Sequence, residues 1–113
     1  MQYSIETTAS FDKEAKRLIK RYPSFKQDYL RLLEQLKENP QLGIDLGNGL
    51  RKIRLRITSK GRGKSGGARV LTYTVIVSEQ DAVLNLLYIF DKADRENLPE
   101  KEIESLLKQN GLR

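Results

Sequence analysis

Eight basic residues and no acid fall between Leu50 and Val70: Arg51, Lys52, Arg54, Arg56, Lys60, Arg62, Lys64 and Arg69. The 113-residue chain carries +6 in total, so everything outside this segment is net acidic by two and the basicity is local. A focused positive strip suits a polyanionic partner. The chain has neither histidine nor cysteine. Imidazole bases, thiol nucleophiles, thiolate metal sites and disulfides are therefore excluded. Arginine and lysine remain as the concentrated reactive types. The guanidinium fork pairs two phosphate oxygens and stays charged, which suits the charge that builds on a pentavalent phosphorus. An ordinary lysine, with a pKa of about 10.4, holds its proton too tightly to act as a base. Crowding by like charges and partial burial both favour the neutral form.

Other residue groups carry plainer readings. Gly63-Lys64-Ser65 has the ending of a phosphate-binding P-loop, but the earlier glycine of that motif is replaced by Thr58 and a strand, not a helix, is expected to follow. Gly63-Lys64-Ser65-Gly66 matches a GxxG clamp only by spacing, because such clamps join helices. The glycines around these cations let backbone N–H groups approach a phosphate. Asp91, Asp94 and Glu96 follow a strand end, yet Lys92 and Arg95 interleave with them. They read as a capped, solvated turn, and no metal or other cofactor is expected. Tyr22, Tyr29, Tyr73 and Tyr88 read as packed side chains.

The elements that must hold the basic strip follow from periodicity. Tyr3–Thr8 reads as a short strand. Ser10 is the expected cap of a helix with an apolar face of Phe11, Ala15, Leu18, Ile19 and Tyr22, ended by Pro23. Ser24 and Gln27 match a capping box for a second helix with Phe25, Tyr29, Leu32, Leu33 and Leu36, stopped by Asn39-Pro40. From Leu50 the period becomes two. Ile53, Leu55 and Ile57 face inward while Lys52, Arg54 and Arg56 face outward, about 7 Å apart. Val70–Val77 and Val83–Phe90 read as two further strands. The second alternates Leu84, Leu86, Tyr88 and Phe90 with Val83, Leu87 and Ile89, and so belongs inside the sheet. Arg69 opens the strand after the loop and is expected to project into the same region as Lys52, Arg54 and Arg56. Pro99 begins a last helix that Gly111 ends. The expectation is one α+β domain over 1–113, in the order β-α-α-β-β-β-α: a small twisted, mainly antiparallel sheet backed by a helical hairpin, with a C-terminal helix. No apolar run matches a membrane span and no signal-peptide pattern opens the chain, so a soluble, cytoplasmic protein is expected.

The run Gly49-Leu50-Arg51-Lys52-Ile53-Arg54, followed by Ser59-Lys60-Gly61-Arg62-Gly63-Lys64-Ser65-Gly66-Gly67-Ala68-Arg69-Val70, resembles the RelE/ParE toxin superfamily, in its HigB-like, RelE-type branch. The resemblance continues through Leu87-Tyr88-Ile89-Phe90-Asp91-Lys92 and Asn97-Leu98-Pro99, and covers nearly the whole chain. It implies a RelE-like fold and the toxin of a toxin–antitoxin pair, with a cognate antitoxin as partner. RelE-type members enter the ribosomal A site and cut translated mRNA without a metal, by attack of a ribose 2′-OH on the adjacent phosphate. By position, Lys52 and Arg54 match the basic pair on the strand after the helical hairpin, and Arg69 the arginine opening the next strand. Lys60, Arg62 and Lys64 match the basic loop, and Lys92 the basic position after the last strand. Where well-known RelE enzymes carry an arginine and a tyrosine, this chain has Ala93 and, roughly, Pro99.

The expected scheme gives the phosphate clamp to Arg54 and Arg69, the base to Lys52 or Lys60, and the leaving-group proton to Lys92. Arg51, Arg56, Arg62 and Lys64 are expected to bind RNA. Two other readings stand beside it: a ParE-like inhibitor of DNA gyrase, and a non-enzymatic nucleic-acid-binding module.

Overall fold

In the computed structural model, which describes residues 1–61 and 66–113, five strands form one sheet. The elements in chain order are β1 (Gln2–Thr7), α1 (Ala9–Arg21), α2 (Phe25–Glu38), β2 (Ile44–Gly47), β3 (Leu50–Leu55), a 3-10 turn (Thr58–Lys60), β4 (Ala68–Ile76), β5 (Asp81–Asp91) and α3 (Glu100–Gln109). The sheet runs β1-β5-β4-β3-β2. All neighbours are antiparallel except β1 and β5, which run parallel with Gln2 opposite Asp81. The α+β class and the mainly antiparallel sheet are as expected. The strand β2 is an addition to the expected order.

β2 forms because Asn48-Gly49 closes a two-residue hairpin between Gly47 and Leu50. Both turn residues have positive φ, 53° and 86°, as a turn matching the strand twist requires. Its four residues are all exposed, so no hydrophobic alternation announces it.

Each sheet face has its own core. On one, α1 supplies Phe11, Ala15 and Leu18, and α2 supplies Phe25, Leu32 and Leu36. These pack on Ile53, Leu55, Val70, Leu84, Leu86 and Ile89. On the other, Ile103 and Leu107 of α3 pack on Leu71, Leu87, Phe90 and Leu98. The strict alternation expected along Val83–Phe90 does not hold. Leu71 lies opposite Tyr88 but Thr72 opposite Leu86, so Leu87 is an extra residue in β5. This bulge lets Leu86 and Ile89 serve the hairpin side while Leu87 and Phe90 serve the α3 side.

Two helix starts also differ from expectation. Thr8, not Ser10, caps α1: its Oγ1 accepts from Phe11 N at 3.0 Å and donates to the Leu87 carbonyl at 2.7 Å. The cap is thereby tied to the bulge. Ser24 makes no side-chain cap of α2. Its hydroxyl instead donates to Asp28 at 2.7 Å and accepts from Ser59 N at 2.8 Å. Gly111, at φ 70°, does end α3, with Leu112 N reaching back to the Leu107 carbonyl at 2.8 Å. Among the described residues no helix is long and apolar enough to cross a membrane.

Candidate nucleic-acid interface

The inward turn of Ile53, Leu55 and Ile57 onto the helical hairpin forces Lys52 and Arg54 to the α3 side of the sheet. Arg69 on β4 lies directly opposite Arg54. An open cleft of about 320 Å³ is lined by Ile44, Lys52, Arg54, Arg69, Lys92, Glu96 and Asn97. Four of the five residues expected to be catalytic therefore share one surface: Lys52, Arg54, Arg69 and Lys92.

Arg69 is 8% exposed, and its Nη1 donates to the carbonyls of Gly66 at 3.1 Å and Ala68 at 3.2 Å. Burial, and then the charge of Arg54, hold its pKa below the usual arginine value. Like charges directly opposed across two strands are unfavourable, and an anion between them removes that cost. Lys52 Nζ donates to Asn97 Oδ1 at 3.3 Å. Lys92 Nζ pairs with Glu96 at 3.0 Å. In the sequence Asn97 stands out only within the family-like Asn97-Leu98-Pro99 run, and Glu96 only as part of a turn. Neither residue type announces a site; both lie in the polar segment joining β5 to α3.

The remaining expected site residues lie elsewhere. Lys60 is on the hairpin side of the sheet, where its Nζ donates to Asp91 at 2.6 Å and to the Gly67 carbonyl at 3.0 Å. The structure does not bring it into the cleft. Arg51 alternates away from Lys52 and turns to the Gly43 carbonyl at 3.3 Å and Asp45 at 3.7 Å. Arg56 is exposed just past the end of β3 and does not line the cleft. Arg62 and Lys64 lie outside the described residues.

The expected solvated turn at Asp91 is corrected, because Asp91 is 2% exposed. It accepts from Tyr22 OH at 2.5 Å, Lys60 at 2.6 Å and Ala93 N at 2.9 Å, with Arg21 at 3.2 Å. Burial by itself raises the pKa of Asp91. The bonds from Lys60, Tyr22 and Ala93 outweigh it and leave the carboxyl below its ordinary value. Burial and the bond to Asp91 push the Tyr22 hydroxyl up to about 12. Asp94 pairs with Arg21 at 2.8 Å, so Asp91 and Asp94 share that cation while Glu96 pairs with Lys92.

A second buried carboxylate secures the start of the basic loop. Asp28 is 1% exposed and accepts from Thr58 N at 3.0 Å, Thr58 Oγ1 at 2.7 Å and Arg31 at 2.6 Å, besides Ser24. Burial again acts upward on its pKa, and these bonds bring the net value down. All three residues of the 3-10 turn are thus held by side chains of the fold: Thr58 by Asp28, Ser59 by Ser24, and Lys60 by Asp91.

The family model described as RelE toxin of RelE / RelB toxin-antitoxin system matches residues 7–111 of the chain.

Proposed function

Because the chain belongs to the RelE toxin family, we propose that this toxin is a ribosome-dependent endoribonuclease that cuts translated mRNA in the cytoplasm and is silenced by a cognate antitoxin. The observation that carries this reading is the opposition of Arg54 and Arg69 in a cleft that also holds Lys52 and Lys92. RNA cleavage requires removal of the 2′-OH proton, neutralisation of the phosphorane and protonation of the leaving 5′-oxygen. The two guanidinium groups bracket the phosphorane and take up its charge without reorganising. Lys52, steadied by Asn97, takes the 2′-OH proton. Lys92, paired with Glu96, donates a proton to the 5′-oxygen. In this scheme no cofactor or metal enters a step, and the ribosome supplies the orientation of the message.

Mapping of RNA 5′ ends after a brief pulse of expression tests the reading. Cuts inside translated codons are expected for the wild type, and none for Arg69→Ala. A folded, fully toxic Arg69→Ala variant overturns it. So does DNA damage without such cuts, which is the outcome of a gyrase inhibitor. Tight binding to naked RNA without cleavage is the outcome of a simple binding module and overturns it equally.

A further inference from the structure

The Lys60–Asp91 ion pair lies away from the cleft, and the scheme above gives it no part. Its contacts nevertheless run toward the cleft. The Gly67 carbonyl that accepts from Lys60 Nζ at 3.0 Å also accepts from Lys92 N at 3.1 Å. Arg69 Nη1 donates to the carbonyls on either side of that residue, those of Gly66 and Ala68. Ala68 lies opposite Asp91 in the β4–β5 register, and Lys92 follows Asp91 in the chain. The backbone from Gly66 to Ala68 is therefore a hub: Arg69 and Lys92 both rest on it, and Lys60 grips it from behind.

We propose that Lys60 and Asp91 form a positioning clamp that fixes the Gly66–Ala68 carbonyls and the Lys92 backbone, and through them aims Arg69 and Lys92 at the scissile phosphate. This rests on the cleavage reading above and gives Lys60 a role that does not require it to touch RNA.

The clamp is built for rigidity. The Lys60 side chain is 12% exposed and that of Asp91 1%. The Tyr22 hydroxyl holds the second oxygen of Asp91, and the Tyr22 ring lies 5.3 Å from Lys60 Nζ. The glycines make room for it. A Cβ on Gly66 would stand 3.1 Å from Lys60 Nζ, and one on Gly67 would stand 2.4 Å from the Leu55 carbonyl oxygen. A buried ion pair adds little net stability over an apolar pair of similar size, because desolvation consumes its Coulombic gain. What it does supply here is a fixed direction for the groups bonded to it.

The test compares wild type, Lys60→Met, Lys60→Arg and the double variant Lys60→Met/Asp91→Asn. The readouts are single-turnover cleavage on programmed ribosomes at saturating toxin, ribosome affinity, thermal melting and hydrogen exchange of the Lys92 amide. Lys60→Met and the double variant are expected to lose about 100-fold in cleavage rate, the scale of a small misplacement of reacting groups, with ribosome affinity unchanged. Lys92 exchange speeds up in both. Lys60→Arg, which keeps a charged donor, retains most of both properties. If Lys60→Met fails to fold, the double variant decides, since it leaves no buried charge unpaired by a lost partner. Wild-type cleavage and exchange in the double variant overturn the clamp. A Lys60→Arg variant as inactive as Lys60→Met, with normal Lys92 exchange, also overturns it and makes Lys60 a proton carrier. A wild type that cuts no message defeats the cleavage reading instead, and Lys92 exchange alone then decides whether the clamp exists.

Discussion

Two guanidinium groups facing one another across β3 and β4 raise the energy of the empty cleft and lower that of a cleft holding a phosphate. Arg69→Ala is expected to cost about 100-fold to 1000-fold in single-turnover cleavage, the usual scale for removing one donor from a developing oxyanion. Arg69→Lys is expected to recover only a small part of that, because an ammonium keeps the charge but not the two-pronged geometry. Near-wild-type cleavage by Arg69→Lys would show that charge alone suffices. The buried acids set a different expectation. The folded pKa values of Asp28 and Asp91 lie below the ordinary value of about 3.9, so their stabilisation is complete above that pH and is lost as pH falls through the folded values. Melting temperature should drop steeply below about pH 4, and Asp28→Asn should be less stable at neutral pH yet flatter in the acid range. Lys52 and Arg54 were legible in the sequence because strand alternation assigns a face to each, and Arg69 because it opens the adjoining strand. Lys92 was legible only through the family likeness. Lys60 was not, since a lysine in a turn carries no period to say which side of the sheet it serves.

At the scale of elements, the turn into β4 admits only one residue type at its tightest point. Gly67 has φ 57° with the Leu55 carbonyl oxygen where a side chain would go. Gly67→Ala is expected to destabilise the protein by about 1–3 kcal/mol, the cost of a strained backbone position, in urea unfolding monitored by circular dichroism. A loss below a few tenths of that would mean the turn relaxes freely. Thr8→Ala removes both the α1 cap and the bond to Leu87, and about 1–2 kcal/mol should go with them. The two helices, the three long strands and the last helix were readable from period and punctuation. β2 was missed although Asn48-Gly49 is a strong hairpin signal, because the exposed run before it lacks the alternation that a search for strands weighs most. The Leu87 bulge had no signal of its own. In a strand apolar on both faces, one extra residue leaves the pattern looking regular.

For the molecule as a whole, the distribution of charge matters more than its sum. Lys52, Arg54, Arg69 and Lys92 stand together on one surface, so contact with single-stranded message should release several counterions at once. With four phosphates engaged, the logarithm of the binding constant for ribosome-held message should fall with a slope of about −3 against the logarithm of salt concentration. Arg54→Gln should make that slope shallower by about 0.7. A slope near zero for the wild type would mean that the cleft is not where the message binds.

The parallel pairing of β1 with β5 brings the start of the chain against a strand completed only near its end, with Gln2 opposite Asp81 and Thr8 bonded to Leu87. During synthesis β1 emerges first and waits, unpartnered, until β5 has been made. That last strand ends at Asp91, immediately before Lys92, so the pairing that finishes the sheet also brings Lys92 to the cleft. A nascent chain that stops short of β5 therefore has neither a partner for β1 nor Lys92 in the cleft.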